Sequence, residues 1–370
     1  MKVLYSCLSL SWGGMEMYTI TSLRELINKE ISVDLICYPD SKIFHEAKEL
    51  GIPVINYSAK GYFNPIETIK LSGKIRSGNY NLIHTHASKD LWHLVPALKI
   101  ANSHIPLFLT KHVGSFISKK DLLHKLLYKR VTTVFAISTI IKNNLLETTP
   151  LPKDKVKILF DGVDTEIFSP QNAKGEKVRD EFGIDNSNIV IGMMARFTWG
   201  KGHEEFLFAA KKLTSKYKNL IFLLVGEASR GEKDYFNKIE SLVKKYKLER
   251  YVIFTGFRKD TVDVLDAMDI FAFPSHSEAF GIALVEAMSM AKPSVSSNAN
   301  GILDIVIDGK TGLLFQNKNG NDLAEKLEVL INSPEKRNAI GKNARVRAIK
   351  HFDLKILIDQ LIKIYQKYKY

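Results

Sequence analysis

The sequence predicts an α/β protein with two doubly wound parallel sheets that face a central cleft. Apolar runs of strand length alternate with helical patterns along the whole chain, which is typical of parallel sheets with right-handed crossovers. The alternation pauses at a turn-rich segment, residues 160–170, and then starts again. In addition, 370 residues are too many for one ordinary hydrophobic core and suit two. We therefore place the domains at residues 1–167 and 168–352.

The individual strands and helices follow from the spacing of apolar residues. The strands of the first sheet are predicted at residues 3–10, 33–38, 54–57, 82–86, 107–111, 134–138 and 157–160. Those of the second sheet are predicted at residues 189–195, 221–226, 252–255, 270–274, 294–297 and 313–315. Helical patterns lie between them, for example at residues 15–29 and 120–129, and a further helix is predicted at the C-terminus over residues 353–370.

Composition narrows the class of protein. The chain has 53 Lys and Arg residues against 40 Asp and Glu residues, so its formal net charge is +13 and an anionic partner is expected. Two cysteines, Cys7 and Cys37, fall in apolar runs, which favours buried thiols and a reducing compartment over a disulfide. We find no apolar stretch of about 20 residues and no signal-peptide pattern, and so we expect a cytoplasmic protein without a transmembrane helix.

Two acidic residues mark the most informative stretch. Glu278 follows the predicted strand at residues 270–274, and the carboxyl ends of strands are where open α/β sheets bind ligands. Glu286 lies eight residues further on in a helical pattern, so that both carboxylates look out on the same cleft. A carboxylate there suits the acceptance of hydrogen bonds from sugar or ribose hydroxyls. Gly281 between them leaves backbone N–H groups open to an anionic ligand at the helix start.

Cations follow another strand of the second domain. Arg196 and Lys201 lie in the loop after residues 189–195, and an arginine fork beside a lysine point charge is a good clamp for a diphosphate. Two solvated surface cations are the ordinary alternative, but their place beside a strand's carboxyl end favours function. Two further strands end in glycine, at Gly226 and Gly256, and these loops fit the walls of a pocket for a nucleotide base.

The first domain has a glycine turn and histidines at strand ends. Gly13 and Gly14 lie between the first strand and the first helix, where they allow either a close approach to a ligand or simply a tight turn. His84 and His86 share one face of a strand, and structural hydrogen-bonded histidines are favoured there over a metal site, since no third ligand is evident. His112 ends the next strand and is expected to reach the cleft.

A basic amphipathic segment covers residues 116–130. Its apolar residues recur at helical spacing and its other face carries several lysines. We favour a core-facing helix with a solvated basic face. Contact with an anionic membrane surface or a phosphorylated lipid is the alternative.

Together these motifs resemble the retaining GT-B-fold glycosyltransferases of family 4, also called glycosyl transferases group 1. The resemblance covers nearly the whole chain, from the Gly13-Gly14 turn through the linker at residues 161–168 to Glu278 and Glu286. It implies two Rossmann-like domains, the first binding an acceptor and the second a nucleotide-sugar donor. It also implies that the C-terminal helix, residues 353–370, packs back on the first domain.

The resemblance carries roles over to individual residues. Arg196 and Lys201 would hold the donor diphosphate, Glu286 the ribose, and Glu278 the sugar, while His112 would lie near the reactive end of that sugar. The other donor-binding residues that it implies are Gly13, Gly14, Gly226, Glu227, Phe257, Arg258, Phe280, Gly281 and Ile282. No metal and no other cofactor is expected, because the cations offset the charge that builds on the leaving group. Asn300 and Ala279 depart from the family pattern, where glycine is common.

The implied activity is the transfer of a hexose-type sugar from a nucleotide-diphospho-sugar, with retention, to a cell-envelope glycan or a lipid-linked acceptor such as a lipopolysaccharide or capsule precursor. Acceptor choice is expected in the loops at residues 58–64 and 112–120. The alternatives are a GT-B-fold sugar-nucleotide epimerase or phosphorylase and, in a different class, a basic nucleic-acid-binding protein. Nucleic acid is not expected as a partner, because the sequence has no basic stripe interleaved with aromatic residues. Residues 116–130 would place the enzyme on the inner face of the cytoplasmic membrane.

Overall fold

The computed structural model describes residues 1–58, 61–62, 64–229 and 231–368. It divides into two compact units, the first formed by residues 1–161 with the C-terminal residues from Leu354 onward, the second by Gly162–Asp353. The division falls after residue 161, six residues before the predicted boundary. The reason is that Val163 pairs with Asp353 in a β-bridge and Thr165 donates a hydrogen bond to the Asp353 carboxylate, which ties the linker to the second unit.

The first unit contains a parallel sheet of seven strands. In chain order these are β1 (Lys2–Ser6), β2 (Ser32–Cys37), β3 (Val54–Asn56), β4 (Leu82–Thr85), β5 (Leu107–Lys111), β6 (Thr133–Ala136) and β7 (Val156–Ile158). Their order in the sheet is β3-β2-β1-β4-β5-β6-β7. The chain therefore winds outward from β1 in one direction and returns to continue from β4 in the other, which makes the sheet doubly wound and puts a topological switch point between β1 and β4.

Helices cover this sheet. They are α1 (Gly14–Asn28), α2 (Lys42–Glu49), α3 (Pro65–Ser77), α4 (Leu91–Ile100), α5 (Leu122–Arg130) and α6 (Thr139–Thr148), together with the C-terminal helix named below. The strands read as near-continuous apolar runs because helices bury both faces of the sheet.

The second unit repeats the design with six parallel strands. They are β8 (Ile189–Met194), β9 (Leu220–Val225), β10 (Val252–Gly256), β11 (Ile270–Phe273), β12 (Ser294–Ser297) and β13 (Leu313–Phe315), in the sheet order β10-β9-β8-β11-β12-β13. Its helices are α7 (Gly175–Glu181), α8 (His203–Thr214), α9 (Lys233–Lys245), α10 (Thr261–Asp266), α11 (Ile282–Ser289), α12 (Ile302–Ile305), α13 (Gly320–Ile331) and α14 (Pro334–Phe352). Here the switch point lies between β8 and β11.

The last helix, α15 (Leu354–Gln366), belongs to the first unit. It packs against α1, and its apolar positions Leu357, Leu361 and Tyr365 lie in the first hydrophobic core. Residues 369 and 370, which the sequence placed in this helix, lie outside the described residues.

Each predicted strand is present, and the main difference is at the end of β1. The sequence predicts a strand to residue 10, but β1 ends at Ser6. The chain leaves the sheet there because the Leu8 amide and the Ser6 hydroxyl both donate to the buried carboxylate of Asp90, at 3.2 and 2.6 Å. Cys7 and Cys37 are buried free thiols, as predicted. Among the helices of the described residues, we find none with the length and apolarity to cross a bilayer.

Candidate functional site

Two loops meet at the switch point of the second sheet. One follows β8 and the other follows β11, its neighbour in the sheet. Gly202 in the first loop has φ +85°, and a Cβ there would lie 2.2 Å from the carbonyl oxygen of Pro274 in the second. The His276 amide also donates to the Gly200 carbonyl at 2.8 Å. The two loops are therefore locked together through their backbones, and only glycine fits at position 202.

An ion pair joins the same loops through side chains. The Nζ of Lys201 lies 2.6 Å from Oε1 of Glu278, and both side chains are largely buried. Such a short contact between charged groups away from bulk water is stronger than a surface salt bridge. The sequence predicted both residues as functional but gave no indication that they are paired.

Arg196 lies in the same loop as Lys201, but its side chain contacts the loop after β9 instead of the loop after β11. Its side chain is exposed, and one guanidinium nitrogen donates to the Ser229 hydroxyl at 3.3 Å, in the loop after β9. Beneath it, Gly226 has φ +138°, and a Cβ there would lie 2.1 Å from the carbonyl oxygen of Ala195. Gly226 thus lets the loops after β8 and β9 approach closely, while Arg196 remains free to swing toward a ligand.

The start of α11 supplies backbone groups. Gly281, with φ +135°, is the N-cap, and the first intrahelical bonds run from the Leu284 and Val285 amides to its carbonyl. The amides of Gly281 and Ile282 therefore have no partner within the helix. The Phe280 side chain is buried against Phe352, with ring centroids 5.7 Å apart, so only its backbone is available to a ligand.

Glu286 lies in the second turn of the same helix. Its side chain is partly buried, and in the described part of the chain it makes no hydrogen bond or ion pair. Burial raises the pKa of Glu286 to about 7. A carboxyl group in this state gains from any donor that reaches it, and a pair of vicinal hydroxyls fits that need.

The loops after β9 and β10 carry the remaining predicted donor contacts. Glu227 and Phe257 are exposed, as a base or ribose contact requires. Arg258 is different, because its guanidinium donates to both Glu181 oxygens, at 2.5 and 2.8 Å, and to both Asp260 oxygens, at 2.9 and 2.7 Å. These bonds tie α7 to the loop before α10 and give Arg258 a structural role, while its contact with a donor stays a prediction.

In the first unit the glycine turn starts α1. The Gly13 amide donates to the carboxylate of Glu16 at 2.9 Å, a helix cap within the turn that the sequence analysis missed. A Cβ on Gly14 would meet no atom within 4 Å. Packing within this unit therefore leaves room for a side chain at both positions, and the role of the two glycines as donor contacts stays a prediction.

His112 is buried, where the sequence predicted a side chain that reaches the cleft. Its Nε2 lies 2.9 Å from Nδ1 of His86 and its Nδ1 lies 3.3 Å from Oδ2 of Asp161. Both ring nitrogens are therefore occupied, and a sugar hydroxyl that binds Nε2 must replace His86. Sequence reasoning missed both partners, although Asp161 stands at the start of the linker motif.

His84 and His86 share one face, as predicted, with rings stacked 4.8 Å apart. His84 bonds Thr110 Oγ1 at 2.8 Å through Nε2 and the Tyr365 hydroxyl through Nδ1. Burial lowers the pKa of His84 to about 3 and that of His86 well below its usual value, so both are neutral. They are structural histidines, and within the described ranges no group of three or more His, Cys, Asp or Glu side chains could hold a metal ion.

The basic segment at residues 116–130 differs most from its prediction. Only residues from Leu122 onward are helical, because the Asp121 carboxylate accepts from the Leu123 and His124 amides and caps α5 there. The predicted helix is present from Leu122 to Arg130 and buries Leu127 and Tyr128, but residues 116–121 are not part of it. Phe116 is fully exposed, and four further apolar residues are more than half exposed, Ile117, Leu122, Leu123 and Leu126.

The first unit also contains two cavities at the carboxyl ends of its strands. One, of about 490 Å³, lies beyond β1 and β2 and is lined by residues that include Leu8, Tyr38 and Lys89. Ser58 and Gly61 of the predicted acceptor loop line it as well, whereas residues 59, 60 and 63 lie outside the described residues. The other, of about 400 Å³, lies between the end of β4 and α5.

Two models of known protein families match this chain, one for each of its two units. A family model described as "Glycosyl transferases group 1" matches residues 175–347, and one described as "Glycosyltransferase Family 4" matches residues 12–167.

The sequence identity to individual relatives is low. The capsular polysaccharide biosynthesis glycosyltransferase CapM of Staphylococcus aureus is 28% identical over 255 residues, which cover 67% of this chain and 64% of that protein. The N,N'-diacetylbacillosaminyl-diphospho-undecaprenol alpha-1,3-N-acetylgalactosaminyltransferase of Campylobacter jejuni is 27% identical over 380 residues, 97% of each chain. Among solved structures, Anabaena HepE in complex with UDP-glucose is 25% identical, with a TM-score of 0.83 over 99% of this chain and 100% of that one.

Proposed function

From the membership of this chain in the group 1 glycosyl transferases, with their GT-B fold, we propose that it is a retaining hexosyltransferase that uses a nucleotide-diphospho-sugar. The family and the fold make it a glycosyltransferase. The proposal concerns the finer points: the donor, the stereochemistry, the independence from metal and the acceptor.

The observation that carries the donor site is the Lys201–Glu278 pair at the switch point of the second sheet. Without ligand, Glu278 holds the ammonium group in place at the mouth of α11. A donor diphosphate would take over the lysine, and the released carboxylate would then accept hydrogen bonds from the donor sugar. Arg196, exposed on the same loop and held only by a long hydrogen bond to Ser229 among the described residues, would close on the diphosphate as a second cation.

Glu286 would receive the ribose. Its carboxyl group is partly buried and has no hydrogen-bond partner among the residues that the structure describes, and two ribose hydroxyls would supply such bonds. The exposed Phe257 and Glu227 follow neighbouring strands of the same sheet and would contact the base. HepE, whose fold this chain shares, was solved with UDP-glucose, which makes a uridine nucleotide the first donor to test.

In the reaction, the bond from the anomeric carbon to the leaving phosphate oxygen breaks and a bond to the acceptor hydroxyl oxygen forms on the same face of the sugar. The proton of that hydroxyl goes to an oxygen of the leaving diphosphate. Negative charge grows on the diphosphate as the first bond breaks, and the fixed cations Lys201 and Arg196 with the open amides at the start of α11 would stabilise it. Because these groups supply the positive charge, we propose that transfer needs no divalent metal.

The acceptor is proposed from the relatives and the surface of the first unit. The two sequence relatives act, by their names, in capsular polysaccharide biosynthesis and on a diphospho-undecaprenol glycan. The exposed apolar residues in the segment at residues 116–130, with the chain's net charge of +13, suit contact with an anionic membrane that carries such an acceptor. We therefore propose a cell-envelope glycan or lipid-linked acceptor.

The test is the release of nucleoside diphosphate from UDP-hexoses, in EDTA, with and without a lipid-linked oligosaccharide acceptor. Release that depends on the acceptor, with the α-anomeric proton coupling of the donor retained in the product by NMR, supports the proposal. Release without acceptor or isomerised donor would point to the epimerase alternative. An inverted linkage or an absolute need for metal would contradict the retaining, metal-independent mechanism.

A further inference from the structure

The second cavity of the first unit is lined by cations and aromatic residues. It lies at the carboxyl ends of β4 and β5, where an α/β sheet binds ligands. Its walls include Ser88, Lys89 and Trp92 on one side and Lys119 and Tyr128 on the other. None of the residues to which a nucleotide-sugar contact is assigned above lines this cavity.

Lys111, the last residue of β5, contacts Ser88 in the wall of the cavity. Its Nζ donates to the Ser88 hydroxyl at 3.2 Å. Among the residues that the structure describes, no carboxylate lies within ion-pair distance of Lys111 or Lys119. Burial, and then the nearby positive charge of Lys119, lowers the pKa of Lys111 to about 8. Burial also lowers the pKa of Lys119.

Two partly buried lysines that are close enough to repel each other, with no carboxylate partner in the described part of the chain, are unfavourable on their own. An anion between them would offset both the repulsion and the lost hydration. The neighbouring hydroxyls of Ser88 and Tyr128 would add donors to the same anion. At the rim, Lys89 extends over the Tyr62 ring, 5.3 Å from its centroid, and is free to close on a bound group.

The surroundings of the cavity are apolar and exposed. Ile117 lines the cavity and is 66% exposed, and its neighbour Phe116 is fully exposed. Leu123 and Leu126 on α5 are more than half exposed as well. A free sugar phosphate would use the lysines and leave this apolar surface in water, whereas a phosphate attached to a hydrocarbon chain would use both.

We propose that this cavity, with Lys111, Lys119 and Lys89, binds the phosphate or diphosphate of a lipid-anchored acceptor. The inference rests on the proposed function and names the acceptor class of that enzyme.

The first arm of the test uses inorganic pyrophosphate as the probe. It is titrated by calorimetry into a Lys201→Ala variant, in which the proposed donor site is impaired, and into the same variant with Lys111→Gln and Lys119→Gln added. We expect the added changes to weaken pyrophosphate binding about tenfold or more, since each removes a charge-assisted hydrogen bond. Lys120→Gln, an exposed lysine in the same segment, is the matched control and should have no effect. Equal binding with and without Lys111 and Lys119, or no binding at all, would overturn the site.

The second arm separates the sources of the phosphate. The wild type is sedimented with phosphatidylcholine vesicles that contain undecaprenyl phosphate, or with phosphatidylglycerol at the same surface charge. Preferential binding to the undecaprenyl phosphate vesicles, lost in the variant with Lys111→Gln and Lys119→Gln, supports the inference. Equal binding to both kinds of vesicle would show that the protein recognises any anionic membrane surface. Pyrophosphate binding without a preference between the vesicles would indicate a soluble phosphorylated acceptor. Either result would overturn the inference.

The same variant distinguishes this inference from the proposed function. Nucleotide binding in the second unit should be unchanged by Lys111→Gln and Lys119→Gln. If nucleotide binds and the cavity fails its tests, only the acceptor class is wrong. If no nucleotide binds to the wild type, the proposed function itself fails.

Discussion

Nζ of Lys201 and Oε1 of Glu278 lie 2.6 Å apart, and this contact joins the loops after β8 and β11 at the switch point of the second sheet. The two residues are far apart in sequence and belong to separate motifs. Lys201 is proposed to bind the diphosphate and Glu278 the sugar. Their pairing means that each side chain holds the other in position before a donor binds.

The first prediction concerns Lys201. Replacing it with alanine removes a fixed charge that would face the leaving diphosphate and leaves Glu278 as an unpaired carboxylate that repels it. We expect kcat/KM for transfer to fall about 10²–10³-fold, and Lys201→Arg to retain part of the activity because it keeps the charge. Steady-state kinetics with matched thermal denaturation would measure both.

Lys245→Ala, an exposed lysine at the end of α9, serves as the control and should transfer at the wild-type rate. Wild-type kinetics in Lys201→Ala would contradict the assignment of the donor diphosphate to this loop.

The second prediction concerns the pH dependence of nucleotide binding. Burial raises the pKa of Glu286 to about 7 from its usual 4.5, and hydroxyl donors favour the ionised form. Binding should therefore release a proton, and the dissociation constant should rise by up to about tenfold for each pH unit below 7. Calorimetry of the nucleotide between pH 5.5 and 8 would measure this, with about half a proton released at pH 7 and a release that approaches ~1 proton at lower pH.

Glu286→Gln should bind more weakly and lose the pH dependence in this range. The variant should also be more stable than the wild type at high pH, because glutamine removes the cost of ionising a buried carboxyl group. A folded pKa above the unfolded value means that the folded state binds more protons between pH 4.5 and 7, so that wild-type stability falls as pH rises through that window. Above pH 7 the variant should be more stable by on the order of 1–3 kcal/mol. A pH-dependent dissociation constant that survives in Glu286→Gln would contradict this role.

The third prediction compares two glycines of the loop after β8. Gly200 and Gly202 have similar left-handed φ values, +89° and +85°, but a Cβ on Gly202 would strike the Pro274 carbonyl whereas one on Gly200 meets no atom within 4 Å. Gly200→Ala should cost about 1–2 kcal/mol, the strain of the left-handed conformation alone. Gly202→Ala should cost clearly more and weaken nucleotide binding, because the loop must move away from β11. Urea denaturation and nucleotide titration would show the difference, and equal effects would contradict the locked-loop geometry.

The fourth prediction concerns Asp161. A carboxylate only accepts hydrogen bonds, so Asp161 holds the proton of His112 on Nδ1 and leaves Nε2 as the acceptor. In Asp161→Asn the amide can present an N–H group and favour the other tautomer. We expect kcat to fall about 10–100-fold, with nucleotide affinity unchanged because Lys201, Glu278 and Glu286 lie in the second unit.

Asp154→Asn, an exposed aspartate in the same unit, is the matched control. An unchanged kcat in Asp161→Asn would remove His112 from the reaction and leave it a structural histidine.

Much of the fold was predictable because apolar runs of strand length alternate cleanly with helical patterns. The loops that carry Lys201, Glu278 and Glu286 could be placed as well, since parallel strands bring their carboxyl ends to one edge of a sheet. What the sequence could not provide was pairing between distant residues. The bonds of Arg258 to Glu181 are one example, since Glu181 lies 77 residues away and no local pattern links the two.

The burial of His112 and the start of the helix in the segment at residues 116–130 were not predictable for related reasons. The burial of His112 depends on His86 and Asp161, which come from a different strand and from the linker. Residues 116–121 keep helical spacing, but Asp121 is a better N-cap than an interior residue, so that the helix starts later. The apolar face then has no core to cover, which spacing alone cannot reveal.

The measurement that tests the central claim most directly is calorimetric titration of UDP, GDP and ADP, with their common sugars, into the wild type and Glu286→Gln in the presence of EDTA. We predict saturable binding of one nucleotide to the wild type, unaffected by the chelator and at least about tenfold weaker in the variant. Equal affinity in both proteins, or binding that appears only when a divalent metal is restored, would contradict the donor site formed by Lys201, Glu278 and Glu286.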